Sequence, residues 1–408
     1  MGKGFRKSLD IITDGLNFKK IKFKSGTKVF DWKIPKEWNI DDAYISDSNN
    51  KKFCEFKKNN LHIVGYSTPI NKILNFKDLK KNLYFIKKLP NAIPYVTSYY
   101  KKRWGFCIKY SEFKKLKKGK YKVYINSKFT NGNLIIGEKL IKGKSKKEIL
   151  FSTYLCHPSM ASNELSGPLV LTELIKRIKS FKLNFTYRFV ITSETIGAIS
   201  YLKKRGEYFK KNLIAGYQVT CVGDKGIFNY KKTKFDNSLT NFLALKVLKN
   251  YKKNFNIIDF SPFGSDERQY NSPGFNLPIG SLMRTPYDQY KEYHTSLDNK
   301  KIINFRSMNE VIDVYKKIIF LNEKNFFIKS NYSKGEPMLS KRNLYSDLSK
   351  YNAFDRKPKE IEEAIFWILS LADDLTFLEI LDKSKLDINT MKFALKLLKE
   401  KKIIKTYI

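Results

Sequence analysis

Residues 150–167 read "LFSTYLCHPSMASNELSG". An unbroken apolar run ends in Cys156-His157-Pro158, the polar pair Asn163-Glu164 follows, and Ser166-Gly167-Pro168 opens a helical pattern. An apolar run of strand length, with no polar alternation, marks a strand buried on both faces, the usual condition in parallel sheets covered by helices. The signature recurs in "YRFVITS", "IAGYQVTCV" and "LPIGSLM", and between these runs lie "LSGPLVLTELIKRIKSF", "AISYLKKRGEYFKKN" and "NSLTNFLALKVLKNY", all helical in period. Strands alternating with helices imply an α/β unit built on a mainly parallel sheet.

Working outward, residues 5–15 place Phe5, Leu9, Ile12 and Leu16 on one helical face. From "IKFKSGTKVFDWKIP" to "YKVYINSKF" the chain changes to short alternating runs broken by Gly, Pro and Asn, a β-rich pattern. At the other end, "PKEIEEAIFWILSLADD" is helical, Thr376 and Glu379 form a capping box before the next helix, and "DINTMKFALKLLKEKK" and "IIKTYI" read as a third helix and a strand. Three short helices and a strand resemble a winged helix. The division expected is a discontinuous α/β domain at 1–42 and 125–330, an inserted β-rich domain at 43–124, a linker at 331–355 and a winged-helix-like domain at 356–408.

A chain of 408 residues suits two or three domains. No run of about twenty apolar residues occurs, so no membrane span is expected, and the amino-terminal stretch lacks the apolar segment of a secretory signal. The four cysteines show no CxxC spacing, which points to a reduced, cytoplasmic protein. The net charge of +40 suggests nucleic acid, but only ten of the 79 basic residues are arginine, the usual reader of guanine edges. The lysines are also spread along the whole chain, which favours solvated faces over a dedicated polyanion surface.

Ligands of open α/β sheets bind beyond the carboxyl ends of the strands. His157, Asn163 and Glu164 follow the first strand, Glu194 the second and Asp224 the third, and further on come Asp266 and Glu267 in "FGSDERQY" and His294 with Asp298 in "YHTSLDN". Two of only three histidines thus share one sheet edge with several acids, the ligand types that zinc takes when one position is left open for water. His62, within the β-rich segment, reads as structural.

The order "CHPSMASNELSG", "TSETIGAISYL", "GYQVTCVGD", "GSDERQY" and "EYHTSLDN" resembles the co-catalytic zinc aminopeptidase superfamily. With "TKVFDWKIPKEWNIDDAYI", "LHIVGYSTP", "RWGFC" and "GEPMLSKRNLY", the chain is more closely similar to the bacterial aminopeptidase-like branch, almost end to end. That resemblance implies a phosphorylase/hydrolase-like zinc aminopeptidase sheet covered by helices, with an inserted β domain and a winged-helix tail. It also implies metal-dependent cleavage of a peptide or amide bond and a link to surface-polysaccharide synthesis.

The chain departs from the superfamily at four places. Ser159 stands at an acidic position after the first histidine, Asn163 at the metal-bridging aspartate, Ser193 at the general base and Thr220 at a further aspartate ligand. The expectation is therefore one zinc ion rather than two, held by His157, His294 and one or both of Glu164 and Glu194, with the carboxylate not on the metal acting as base. Asp266 is expected to orient a ligand histidine, Glu267 or Asp224 to receive a substrate amine, and Arg103 or Arg284 a substrate carboxylate. Tyr287, Tyr290 and Trp104 would form walls. Two alternatives stand beside hydrolysis. One is an aminopeptidase-fold binding protein without catalysis. The other is a winged-helix DNA regulator, disfavoured because the third helix offers Asn389, Thr390, Lys392, Lys396 and Lys399 but no arginine; self-association or a protein partner suits the winged helix better.

Overall fold

The computed structural model describes residues 1–251, 253–332, 334–345 and 356–408, the side chains of 356–358 excepted. Eight strands form one sheet in the spatial order Lys19–Lys24, Asn133–Ile141, Thr186–Thr192, Glu148–Tyr154, Leu213–Val219, Ile279–Met283, Phe228–Lys231 and Phe255–Ile258. The four central strands run parallel, as the apolar runs imply, while Asn133–Ile141 and Phe228–Lys231 join them antiparallel. The sheet is therefore mixed: the edge strand Phe255–Ile258 runs parallel to Phe228–Lys231, and the edge strand Lys19–Lys24 antiparallel to Asn133–Ile141.

Every residue of Glu148–Tyr154, Thr186–Thr192 and Ile279–Met283 is buried. Neighbouring residues serve opposite faces of the sheet. Leu150 and Val190 pack with Ala198, Tyr201, Leu202 and Phe209 of the helix Ile196–Asn212. Phe151 instead stacks on Phe189 and Tyr217 and meets Tyr315 of the helix Phe305–Glu323 edge-on. Two covered faces explain why these strands show no polar alternation.

At the amino ends of the central strands lies a buried charge network. Arg188 donates to both oxygens of Glu148, at 2.7 and 2.8 Å, and to Glu138 at 2.6 Å. Arg205, Tyr201 and Tyr208 supply further donors. Burial works to raise the Glu138 pKa, but the Tyr201 hydroxyl and the two guanidinium groups outweigh it and hold the carboxyl below its ordinary range.

The inserted region forms a separate antiparallel sheet in the order Lys52–Phe53, Glu37–Ser46, Lys120–Thr130 and Ile70–Asn75, around a core including Ile45, Ile63, Phe106, Val123 and Ile125. Its strands begin at Glu37 and end at Thr130, so the sheet reaches beyond 43–124 at both ends. His62 is buried there with Nδ1 2.8 Å from the Cys107 carbonyl oxygen, a structural placement.

The chain divides into two compact units, the second comprising 143–147, 183–185 and 318–408. In this second unit the helices Arg356–Leu371, Phe377–Ser384 and Ile388–Glu400 surround Ile365, Ile368, Ile380, Met391 and Leu398. The expected capping box is present: the Thr376 N–H and hydroxyl both donate to Glu379. The unit takes in more than 356–408, because the terminal strand Ile404–Tyr407 pairs antiparallel with Phe327–Ser330. A single strand cannot satisfy its own backbone, and its partner lies upstream of the segment read as a linker. Of that expected linker, 333 and 346–355 fall outside the described residues, and the rest includes a short 3₁₀ turn at Ser340–Arg342.

Removing Arg188 leaves two buried carboxylates without their shared cation. Arg188→Ala should lower unfolding stability by about 3–5 kcal/mol, read by urea titration. Because the Glu138 pKa is depressed on folding, its contribution is present above the unfolded carboxylate pKa and is lost as pH falls through the lower folded value. Glu138→Gln should remove that portion of the acid-side loss of melting temperature, and an unchanged acid limb would contradict the assignment.

Candidate metal centre

The strand Glu148–Tyr154 delivers Cys156 and His157 to the carboxyl edge of the sheet. Glu164 holds both. Its Oε1 accepts the Cys156 N–H, and its Oε2 lies 2.9 Å from His157 Nδ1. Glu164 sits in a π-helical turn, Ala161–Leu165, immediately before the helix Ser166–Ile178. Such single turns are rare and recur at functional sites.

Asp298 fixes that turn. Its carboxylate accepts the N–H groups of Ala161, Ser162 and Asn163 at 3.1, 2.7 and 3.0 Å, and the Tyr290 hydroxyl at 3.1 Å. Four residues before Asp298 is His294, whose ring centroid is 5.0 Å from that of His157. The inserted region secures this loop from the other side. The Tyr95 N–H donates to the His294 carbonyl at 2.8 Å, the Ile93 N–H to Ser296 Oγ, and the Ser296 N–H to the Ile93 carbonyl. The Tyr95 ring itself lies 4.9 Å from His157 and 5.4 Å from His294.

Glu194 approaches His157 on its opposite nitrogen, with Oε2 3.6 Å from Nε2. Ser265 Oγ donates to Glu194 Oε1 at 2.8 Å, and the Glu194 N–H points to Cys156 Sγ at 3.4 Å. Ser159, Thr195, Cys221 and His294 all adopt left-handed backbone, with φ of 57, 61, 51 and 52°. Non-glycine residues there cost on the order of 1–3 kcal/mol each and persist where surrounding contacts enforce them. Ser159, Thr195 and His294 lie in the loops that carry this cluster, and Cys221 in the loop that follows Leu213–Val219.

Burial pushes the Cys156 thiol up to about 11, so it is neutral near pH 7. Burial also works against a charge on His157, but Cys156 and Glu164 outweigh it and hold its pKa well above the ordinary imidazole range. With Cys156 neutral, the partner that matters is Glu164. Burial, reinforced by the charge of His157, lowers the His294 pKa to about 3, leaving a neutral ring at physiological pH. Burial raises the Asp266 carboxyl well above its usual range, with the neighbouring Glu194 charge adding to the effect.

The structure thus brings together His157, Glu164, Glu194 and His294, four of the residues singled out in the sequence. The remaining expectations change. Asp266 accepts the Thr195 N–H through Oδ1 at 2.7 Å, while its Oδ2 has no partner, so it supports the Glu194 loop and touches no imidazole. Glu267 is fully buried against Lys231 at 2.9 Å and the Tyr287 hydroxyl at 2.9 Å, and is already neutralised for a substrate amine. Asp224 is engaged by Thr285, Gly226 and Ser162. Arg284 pairs with Glu310, and Arg103 donates to the Thr97 carbonyl and the Tyr84 hydroxyl. Neither guanidinium joins the histidines. Trp104 packs on the core of the inserted region, so it is no wall of this site.

Asn163 and Thr220, at the two positions where the superfamily places metal-binding aspartates, bond to each other. Thr220 Oγ1 donates to the Asn163 carbonyl at 3.0 Å, and both side chains reach the Tyr154 hydroxyl. A neutral, hydrogen-bonded cluster occupies the ground where a second cation would need anions. Cys156, Tyr95 and Ser265 are contacts the sequence did not single out. Cys156 adjoins the first histidine and had a local signal; Tyr95 and Ser265 are brought in by distant segments and had none.

Both sides of the His157 ring face groups that could hold a divalent ion. Among the described residues, ligand atoms of Cys156, His157 and Glu164 lie within 4.8 Å of one another. That is the Nδ1 side, where both Glu164 oxygens are already committed. On the Nε2 side, the 3.6 Å gap to Glu194 is long for a hydrogen bond. It is close to the ~3.3 Å separating two ligand atoms that sit ~2.0–2.2 Å from a tetrahedral ion. His294 Nε2 is buried without any partner, as a lone pair awaiting a ligand would be. On this side His157, His294 and Glu194 are the residues that would hold an ion, with Glu164 behind the His157 ring, and their ligand atoms are not gathered within 4.8 Å as those of Cys156, His157 and Glu164 are.

Removing the Asp298 side chain strands the buried N–H groups of Ser162 and Asn163, while Ala161 keeps the Asp298 backbone carbonyl at 3.1 Å. Asp298→Ala should destabilise the protein by about 2–3 kcal/mol or more, and hydrogen exchange should quicken at Ser162 and Asn163. Protection unchanged at these two amides would show that the turn does not depend on the Asp298 carboxylate.

The family model described as "Domain of unknown function (DUF4910)" matches residues 1–325, and a winged helix-turn-helix model matches 327–406. A Clostridium acetobutylicum protein, provisionally named a polysaccharide biosynthesis protein with aminopeptidase-like domain, is 42% identical over 397 residues, covering 96% of this chain and 89% of that one. A crystal structure of a provisionally named peptidase from Clostridium acetobutylicum superposes with a TM-score of 0.81 at 39% identity, covering 100% of this chain and 92% of the other. A zinc aminopeptidase from Bacillus subtilis shares the fold, with a TM-score of 0.56 at 13% identity over 78% of this chain and 89% of its own. A peptidase M28 precursor from Shewanella amazonensis does likewise, with a TM-score of 0.54 at 15% identity over 78% and 88%. The chain belongs to the DUF4910 family of bacterial aminopeptidase-like proteins and carries a winged helix at its carboxyl end.

Proposed function

We propose that this protein is a zinc-dependent hydrolase of a peptide or amide bond, with one ion held by His157, His294 and Glu194. The observation that carries this reading is the Nε2 side of His157: Glu194 stands beyond hydrogen-bonding reach there, and the neighbouring His294 Nε2 has no partner. When bound, zinc supplies Lewis acidity that makes water a nucleophile near neutral pH. The chain's own residues do the rest. Glu164 fixes the His157 ring and keeps its Nδ1 proton. Ser265 anchors Glu194 Oε1 and leaves Oε2 on the His157 side, where it would hold the ion. Tyr95 closes the site over both imidazoles.

The name of the Clostridium acetobutylicum relative supports an amide borne on a glycan precursor as the substrate class. Four free cysteines suit a reducing, cytoplasmic setting. Among the described residues no helix is long and apolar enough to cross a membrane. The winged helix serves contacts with protein, including a second copy of the chain, rather than DNA. Its helix Ile388–Glu400 exposes Ile388 and Phe393 and contains no arginine.

A second reading, ligand binding without turnover, rests on a specific observation. Ser193 occupies the usual base position, and Glu164, Asp266 and Glu267 are enclosed, which leaves for proton transfer only Glu194, itself one of the proposed ligands.

Elemental analysis of protein purified without added chelator should give about one zinc per chain, and stripping it should lower the melting temperature by several degrees. His157→Ala and His294→Ala should each abolish both. Glu194→Gln should cut turnover of aminoacyl and N-acyl-sugar amides by at least about a hundredfold. Zinc bound with no turnover on either panel would select the binding-protein reading, and zinc content unchanged in His294→Ala would remove the proposed ligand set.

A further inference from the structure

Glu267 is closed to a substrate amine, yet an unbroken chain of hydrogen bonds links it to Glu194. We propose that Lys231 is a positioning residue for the metal centre: through Glu267 it holds Ser265-Asp266-Glu267 as a clamp that presents Glu194 to the ion by Oε2 alone. The inference rests on the single-ion site proposed above, and not on turnover.

Lys231 closes the strand Phe228–Lys231 and is the only buried lysine among the described residues. Its ammonium carries three protons and meets three acceptors: Glu267 Oε1 at 2.9 Å, the Tyr287 hydroxyl at 3.0 Å and the Phe263 carbonyl. Burying both charges of such a pair costs about as much as their attraction returns, so the pair adds little net stability. It does add direction, because moving either partner away would leave an uncompensated charge in the interior.

The three residues of the clamp divide the work. Glu267 accepts the Ser265 N–H on both oxygens, at 3.2 and 3.1 Å, which ties Ser265 to the lysine. Ser265 Oγ then donates to Glu194 Oε1 at 2.8 Å. Asp266 Oδ1 accepts the N–H of Thr195 at 2.7 Å, and Thr195 is the left-handed residue that follows Glu194. Glu194 is thus held through its side chain and through its backbone neighbour. Only Oε2 is left, and it faces His157 Nε2 at 3.6 Å. Groups that bond to a ligating carboxylate in this way decide which oxygen a metal receives.

The clamp is also tightly closed. Gly264 stands between the Phe263 carbonyl and the Ser265 N–H with φ 146°, and a Cβ there would overlap Glu267 Oε1 and the Tyr287 hydroxyl. Three segments, at 231, 263–267 and 287, therefore meet with no space for a side chain between them.

The test is the zinc affinity of the full chain, measured by competition with a chromophoric chelator, in Ser265→Ala, in Lys231→Met/Glu267→Gln and in the three changes combined. Removing both charges together strands neither, and glutamine keeps an acceptor for the Ser265 N–H. Each of the first two variants should weaken zinc at least about tenfold, as loss of a group that orients a ligand does. The combined variant should fall well short of the product of the two losses, because both act through the same bond to Glu194. Tyr287→Phe, a milder change at the same lysine, should weaken zinc in the same direction by a smaller factor. A lower melting temperature of the zinc-free protein with zinc affinity unchanged in both the charge-pair variant and Tyr287→Phe, or losses that multiply in full, would make the pair purely structural and overturn this inference alone. A wild-type chain that takes no zinc would overturn the proposed function and this inference together.

Discussion

Three backbone N–H groups on one carboxylate tie this protein's chemistry together. Asp298 accepts from Ala161, Ser162 and Asn163, and so docks the loop carrying His294 onto the turn carrying Glu164. Glu164 in turn sets the ring of His157. The two histidines are far apart in sequence and sit at the ends of different elements, so nothing local makes them neighbours. A buried carboxylate that satisfies several amides is directional as well as strong, and the imidazole pair inherits its geometry. The same residue explains how a π-helical turn, poor in its own hydrogen bonds, survives at a strand-to-helix junction.

The inserted region belongs to the site as much as the sheet does. Residues 93–95 grip residues 294–296 through backbone and hydroxyl bonds, and Tyr95 packs on both imidazoles. The second histidine is thus held from two directions, by Asp298 on the sheet side and by the insert on the other, which is what a residue at φ 52° requires. At the opposite end of the central strands, the Arg188 network locks three neighbouring strands together. Stability concentrated at one end leaves the other free to carry strained loops and incompletely paired polar groups.

Much of the fold was legible in the sequence because burial on two faces writes itself into composition. The mainly apolar stretches at 149–154 and 189–192 announce central strands, and Thr376 with Glu379 announces a helix start in three residues of spacing. The histidines and Glu194 were legible for a related reason: strand ends are where ligands gather. Partner choice was not legible. Glu267 looks like a free acid in "GSDERQY" until Lys231, on a different strand, is found beside it. Arg284 looks available until Glu310 and two carbonyls claim it. Asn163 and Thr220 read as losses, yet with the Tyr154 hydroxyl they form a closed neutral cluster. Such pairings depend on contacts between segments dozens of residues apart, for which one sequence carries no periodic signal. The antiparallel pairings that flank the central strands, and the upstream strand that completes the winged helix, escaped for the same reason.

Anomalous diffraction at the zinc absorption edge, from crystals grown with equimolar zinc, asks the question most directly. One peak per chain, bounded by His157 Nε2, His294 Nε2 and Glu194, with Glu164 still on His157 Nδ1, is the expected result. A peak on the Cys156 side of the ring, a pair of peaks that includes the Asn163 and Thr220 cluster, or no peak at all would contradict the single-ion centre.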